Sequence, residues 1–312
     1  MNANKASLLV LLVTLGWGSS YLFMKMGLES IGEFNLIALR FSLAFLIAGA
    51  FFLKRLRLHF NKQMLGFSAL LGMILFGVVA SILFGLKTTS TSNAGFLVGL
   101  TVIFTPLLNR IMFHKKLEQS KLFGCLLAIV GIALLTLNNE LSMHPGDILC
   151  MAGGILNALY ILVSGEMVKK VDSISVGLLS LGFTAIYGLI FSLLFESPTL
   201  PQTMDGWVAI FALSVICGAF CFIAQAIALQ YIKPVQLGIM YALEPLFAAI
   251  FAFSFAGERL TLQGHFGALF VIAGIFASEW LEHRKKHRKV KTYVMAPSNL
   301  GSGTVVTGVK HE

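Results

Sequence analysis

The stretch GIMYALEPLF, Gly238 to Phe247, places a carboxylate and a helix breaker in the middle of an apolar run long enough to cross a membrane. Pro245 has no amide hydrogen and clashes with the carbonyl four residues back, so a helix continued through it leaves the Tyr241 carbonyl without its usual partner. Glu244 sits beside that defect. An ionisable side chain at bilayer depth is costly, faces protein or a water-filled cavity, and often marks the path of a solute or ion. A sister stretch, GLTVIFTPLL from Gly99 to Leu108, carries Pro106 at the corresponding place, with Thr105 where the later copy has Glu244. Helix breaks at Pro106 and Pro245, one in each half, point to the central site of a transporter.

Composition sets the class. Of the 312 residues, 57% are hydrophobic and only 12% charged, with 27 Phe. A single soluble core cannot hide that much apolar surface, whereas lipid accepts it if each span runs about 17 to 25 residues. Ten apolar runs can be drawn, over residues 6–28, 34–53, 65–86, 92–113, 122–137, 148–168, 174–195, 207–229, 235–256 and 264–281. The alternating pattern of an outer-membrane barrel is absent from the sequence. The expected fold is therefore an all-α integral membrane protein of ten transmembrane helices.

The net charge of +9 does not indicate nucleic acid as a partner, because the basic residues are scattered between apolar runs and gathered at the tail. With loops assigned alternately to two sides, most of the 23 Lys and Arg residues fall on the side that also carries both termini. The positive-inside rule then places the N- and C-termini in the cytoplasm of a multi-pass protein of the cell membrane. The four cysteines lie in or beside apolar segments without metal-ligand spacing, and they read as small buried hydrophobes. No metal or cofactor is expected.

The halves repeat. The separation that carries Pro106 to Pro245 also carries Tyr21 to Tyr160, and a separation four residues longer carries Leu117, Gly124 and Gly131 to Leu260, Gly267 and Gly274. Residues 1–139 and 140–281 are read as two five-helix repeats, and 282–312 as a basic, polar, Gly/Ser-rich cytoplasmic tail. Five spans per repeat is an odd number, so the second repeat enters the membrane upside down relative to the first. Within the tail, EHRKKHRKVK suits either anionic lipid head groups or a solvated charge run that fixes topology.

The chain resembles the drug/metabolite transporter superfamily, in particular its ten-span members with two EamA-type halves. The resemblance rests on TLGWGSSYLFMK in the first span, ALRFSLAFLIAGAFFLKR in the second, SNAGFLVGLTVIFTPLL in the fourth, and LEPLFAAIFAFSFAGERLTLQGHFGALFVIAGI across the last two. It implies inverted five-span repeats around a central cavity, and export of small metabolites, often amino acids or related compounds. The chain departs from the pattern after its fourth span, where His114, Lys115, Lys116 and Leu117 replace a Gly-Glu-Arg-Leu-like turn, so the acidic turn residue survives only as Glu258.

Candidate cavity residues follow from spacing and depth. Trp17, Tyr21 and Lys25 recur every four positions and form one stripe on the first helix, suited to lining a cavity or to ordinary packing, with Lys25 near the outer end where it can snorkel. Arg40 lies within the second span, more than a turn from Glu33 on roughly the same face, as a structural ion pair or an anchor for an anionic solute group. Asn93 and Phe96 open the fourth helix beside a GxxxG spacing, Gly95 with Gly99, that favours close packing. Asn157 and Tyr160 share a face on the sixth, and Gln225 is the mid-depth amide of the eighth. Tyr241 and Glu244 complete the set. Glu244 stands either as a coupling or recognition carboxyl or as a neutral group that stabilises the break.

No phosphate loop, HExxH or GxSxG motif is present, and no pair of acids shares a mid-membrane face, which leaves an intramembrane enzyme without its groups. A secondary transporter is the expected function, with a small-molecule substrate, surrounding lipid and, in one reading of Glu244, coupled protons as its partners. A channel-like facilitator or a non-transporting receptor module is the alternative. Nothing in the sequence chooses the solute or the oligomeric state.

Overall fold

The computed structural model describes residues 1–89, 91–115, 119–136 and 144–256, together with short pieces of helix between residues 262 and 277. Among the described residues the secondary structure is entirely helical. That follows from the solvent: lipid offers no hydrogen bonds, so a single crossing segment must satisfy its own backbone. Seven helices are long and apolar enough to cross a membrane, and shorter apolar helices fill the remaining places.

In order these are α1 (Ala3–Leu28), α2 (Glu33–His59), α3 (Lys62–Leu86), α4 (Thr91–Gly99), α5 (Thr101–Phe113), α6 (Gln119–Thr136), α7 (Pro145–Met167), α8 (Ser173–Phe195), α9 (Met204–Ala212), α10 (Cys221–Ala228), α11 (Pro234–Met240) and α12 (Glu244–Ala256). Polar caps start several of them where the chain re-enters the membrane. Asn61 accepts from the Met64 amide at 2.7 Å, Asp172 from the Ser175 amide at 3.0 Å, and Thr203 from the Gly206 amide at 3.2 Å.

Three spans are not single α-helices. The expected fourth span is α4 and α5, divided at Leu100, and the ninth is α11 and α12, divided by a turn of 3₁₀-helix over Tyr241–Leu243. The eighth runs from α9 to α10 through a π-helical stretch, Leu213–Phe220, that no local feature of the sequence announced. The tenth expected span falls largely outside the described residues, as do Glu258, the turn around it and the basic tail.

Pro106 does not break its helix. It lies inside α5, six residues beyond Leu100, and the carbonyl it leaves without an amide partner, that of Val102, accepts instead from the Cys125 thiol of α6 at 3.3 Å. At Leu100 itself, the Thr101 hydroxyl lies 2.7 Å from the Val98 carbonyl and 3.0 Å from that of Gly154 on α7. Pro245 behaves as expected in kind, sitting in the first turn of α12 where a missing amide costs little. The Tyr241 carbonyl is nevertheless not free, because the Glu244 amide closes a 3₁₀ turn onto it.

The pairing of α2 with α8 organises the bundle. These are corresponding helices of the two halves, and they run antiparallel. Ala38 lies against Gly188 and Phe45 against Gly182, so one helix is met backward as the other is followed forward. At one end Glu196, just past α8, accepts from the amides of Phe34 and Asn35 in the first turn of α2, at 3.0 and 2.8 Å. At the other end Arg55 of α2 holds Asp172, the N-cap of α8, at 2.6 Å. Antiparallel packing of equivalent helices is what an inverted repeat requires.

The remaining contacts exchange when the halves are exchanged. Helix α1 packs on the eighth span, with Gly16 against Cys221, while α7 packs on α3, with Gly85 against Cys150. Similarly α1 meets α12, and α7 meets α4 and α5. Glycines permit these approaches: a Cβ on Gly18 would lie 2.5 Å from Cβ of Phe247 and 3.0 Å from the Ala248 amide nitrogen.

Two stability outcomes follow. Gly18→Ala is expected to destabilise the purified protein by roughly 1–3 kcal/mol, since neither obstructing atom is the end of a flexible chain. Gly49→Ala, where nothing lies within 4 Å of the added carbon, is expected to be neutral or slightly stabilising, and thermal melts in detergent compare the two.

Asp172 gives the second. Burial acts to raise its pKa, but the Arg55 guanidinium and two bonds from Ser175 outweigh this and hold the carboxyl down at about 2. Its contribution is complete above the unfolded value of about 3.9 and disappears as pH falls through the folded one. Asp172→Asn keeps the cap and removes the ion pair. With Arg55 46% exposed, the loss is expected to be about 0.5–1 kcal/mol. That loss should stay constant between about pH 5 and 8, whereas Asp172→Ala costs about 1 kcal/mol more by removing the cap.

Candidate functional site

Where α1, α2, α3, α7, α10 and the break before α12 converge, they leave a cavity of about 50 Å³. Its walls include Trp17, Ser20, Tyr21, Arg40, Asn157, Phe222 and Glu244. By volume it accommodates a few waters rather than a large solute. One wall is aromatic. The Trp17 ring lies 4.9 Å from Phe222 and 5.1 Å, edge to face, from Tyr241. Its indole N–H donates at 2.9 Å to the Cys217 carbonyl, within the π-helical stretch. Cys217 in turn donates its thiol to the Gly16 carbonyl at 3.2 Å, so α1 and the eighth span are joined reciprocally at this level.

The carboxyl group stands opposite. Glu244 begins α12 immediately after the 3₁₀ turn, is 5% exposed, and accepts from the Tyr21 hydroxyl at 2.8 Å. Tyr241, three residues earlier, donates to the Gln225 side-chain oxygen on α10 at 2.9 Å, and the amide nitrogen of Gln225 has no partner among the described residues. The two tyrosines thus connect the broken ninth span to α1 on one side and to α10 on the other.

Most of the sequence-derived candidates gather here. Trp17, Tyr21, Arg40, Asn157 and Glu244 line the cavity, and Tyr241 and Gln225 lie directly behind it. Asn157 reaches 3.5 Å from the Thr101 hydroxyl beside the Leu100 break. Tyr160 is buried one layer away, edge-on to Phe222 at 6.0 Å. Lys25 does not join them. It is exposed at the end of α1, since the stripe begun by Trp17 and Tyr21 leaves the protein interior there. Asn93 and Phe96 are carried on α4, but their side chains are outside the described residues.

The expected pairing of Arg40 with Glu33 does not occur. Glu33 at the start of α2 pairs with Lys87 at the end of α3, and Arg40 lines the cavity with no carboxylate bonded to it among the described residues. The residues that the sequence did not single out include Ser20 and the aliphatic wall from α3, Phe222, which forms the aromatic wall with Trp17, and Cys217, whose carbonyl anchors the indole. Phe222 is one of 27 phenylalanines, and only the tertiary fold distinguishes it.

Comparison with known proteins gives the family. The profile of the EamA-like transporter family matches twice, over residues 4–137 and 144–279. An "Uncharacterized transporter" of Archaeoglobus fulgidus is 28% identical over 294 residues, covering 90% of this chain and 99% of its own length. The "Uncharacterized transporter YoaV" of Bacillus subtilis is 22% identical over 292 residues, with the same two coverages of 90% and 99%. A solved crystal structure superposes with a TM-score of 0.75 at 20% identity, over 90% of this chain and 98% of that one, and so shares the fold. With two matched halves that together span nearly all of its helices, the chain belongs to the EamA-like transporter family.

Proposed function

We propose that this transporter is a secondary carrier of a small metabolite that works by alternating access, with export as the direction, Glu244 as its coupling or recognition carboxyl, and both termini in the cytoplasm. The observation that carries the reading is the Tyr21–Glu244 bond. It joins α1 to the broken ninth span across a cavity, so a change in what Glu244 binds changes what holds the two elements together. A proton or a solute group that displaces the Tyr21 hydroxyl alters that contact, and a half-helix end is free to tilt where a continuous helix is not.

Comparing metabolites in the medium of cells that overproduce or lack the protein identifies the solute as the one that changes reciprocally. In proteoliposomes a carrier shows saturable counterflow of that solute, whereas conductance without counterflow would mark a channel. Glu244→Gln keeps size and hydrogen bonding but cannot titrate. The variant is expected to insert normally and lose net transport or its pH dependence, with solute exchange retained. Wild-type rates and pH profile at matched protein content would reject the coupling role.

Orientation is tested with thiol labelling. The four native cysteines are buried, so background reaction is low. An impermeant maleimide applied to intact cells is expected to modify Gln202→Cys and to spare Asn61→Cys, both exposed loop positions. The reverse pattern would invert the assigned topology.

A further inference from the structure

Arg40 is the charged group of the cavity that the protein leaves unanswered. It is 3% exposed, and neither its Nε nor its Nη1 has a hydrogen-bond partner among the described residues. The Phe41 ring covers one face of the guanidinium, 4.8 Å from Cζ, and does not engage the N–H donors in its plane. Among the described residues the three buried acids are engaged elsewhere: Glu33 with Lys87, Asp147 with Thr89 and the His144 amide, Glu244 with Tyr21. A buried cation with unmet donors is unfavourable unless something anionic or strongly polar meets it.

We propose that Arg40 is an anion subsite of the central cavity and takes the carboxylate of a small transported solute. The guanidinium fork matches the two oxygens of a carboxylate, a fit that an ammonium group does not provide. A phosphate monoester suits the site less well. It carries about −1.5 to −2 at neutral pH, more than one guanidinium offsets, and Glu244 lines the same cavity. Trp17 and Phe222 supply the apolar wall beside the charged end, and Asn157 a further polar contact. The proposal rests on reading the cavity as the solute site, but it does not depend on Glu244 as the coupling group.

The chain has three tryptophans. Full-length protein carrying Trp207→Phe and Trp280→Phe keeps Trp17 as its fluorophore, beside the proposed subsite. It is titrated with sodium acetate and sodium benzoate, and with acetamide and benzamide as neutral counterparts, at constant ionic strength. The carboxylates are expected to change the Trp17 emission saturably, with apparent affinity about tenfold or more above that of the amides. Arg40→Gln is expected to reduce carboxylate affinity to the level of the amides, and Arg40→Lys to retain part of the preference.

Carboxylate binding is read in the parent protein with Glu244 intact, separately from the transport assays of Glu244→Gln. Failure of the coupling reading then shows in transport assays while this binding persists, and failure of the subsite shows in binding alone. Equal responses to acetate and acetamide, no saturable response to either carboxylate, or undiminished carboxylate affinity in Arg40→Gln would overturn the proposal. If Arg40→Gln does not fold, the contrast between acid and amide in the parent protein still decides it.

Discussion

Antiparallel packing of α2 against α8 is the contact from which the other positions follow. It is fastened at both ends by polar groups, Glu196 on the first amides of α2 and Arg55 on Asp172, with apolar and glycine contacts between. Unmet amides at a helix start attract a carboxylate, so Glu196 serves as a cap supplied by the opposite half. Around this pair α1 packs on the eighth span and α7 on α3. Each half therefore contributes a first helix to a cavity that neither half encloses alone.

The halves differ where the cavity needs a carboxyl. Both contain a broken helix, yet the first break, at Leu100, is held by the Thr101 hydroxyl and neighbouring carbonyls, whereas the second is followed at once by Glu244. The hydroxyl-lined break is neutral and close-packed, with the Gly154 carbonyl near Thr101. The acidic break adjoins Tyr21, Tyr241 and Gln225, which supply hydroxyl and amide partners without adding charge. Thr105, the sequence counterpart of Glu244, lies instead against Gly238, and its hydroxyl donates to the Thr101 carbonyl at 2.7 Å.

Sequence disclosed the class, the repeat, the ninth-span break and most of the polar lining of the cavity because each leaves a local trace in a membrane protein. An acid, an arginine or an amide is conspicuous among apolar residues, as Glu244, Arg40 and Gln225 were. Apolar and backbone contributions leave none: Phe222 looks like any other phenylalanine, and the π-helical stretch around Cys217 has no distinguishing composition. Pro106 was misleading because a proline removes one hydrogen bond without dictating where the chain bends, and Cys125 from another helix satisfies the orphan carbonyl. Lys25 lies exposed at the end of α1, as its place near the outer end of the span allowed, because a spacing of four residues drifts around the helix and its third member need not share the burial of the first two. Of the two roles open to Arg40, the ion pair with Glu33 is not made, because the end of α3 brings Lys87 to that acid instead.

The loss of that pairing changes the character of the interior. Had Arg40 met Glu33, the cavity would contain one carboxyl group and a neutral lining, and a polar solute would find few donors in it. Instead the ion pair is formed by Lys87, whose side chain is 57% exposed, and the guanidinium remains inside. Each group then sits where its chemistry is suited: the flexible, strongly hydrated ammonium beside solvent, the planar and weakly hydrated guanidinium in the interior against Phe41. Being exposed itself, Lys87 loses little hydration in pairing with the buried Glu33, while a buried Arg40 retains directional donors in a low-dielectric space where a hydrogen bond counts for more. The arrangement separates the charge that joins α2 to α3 from the charge that faces the cavity, so occupancy of the second need not disturb the first.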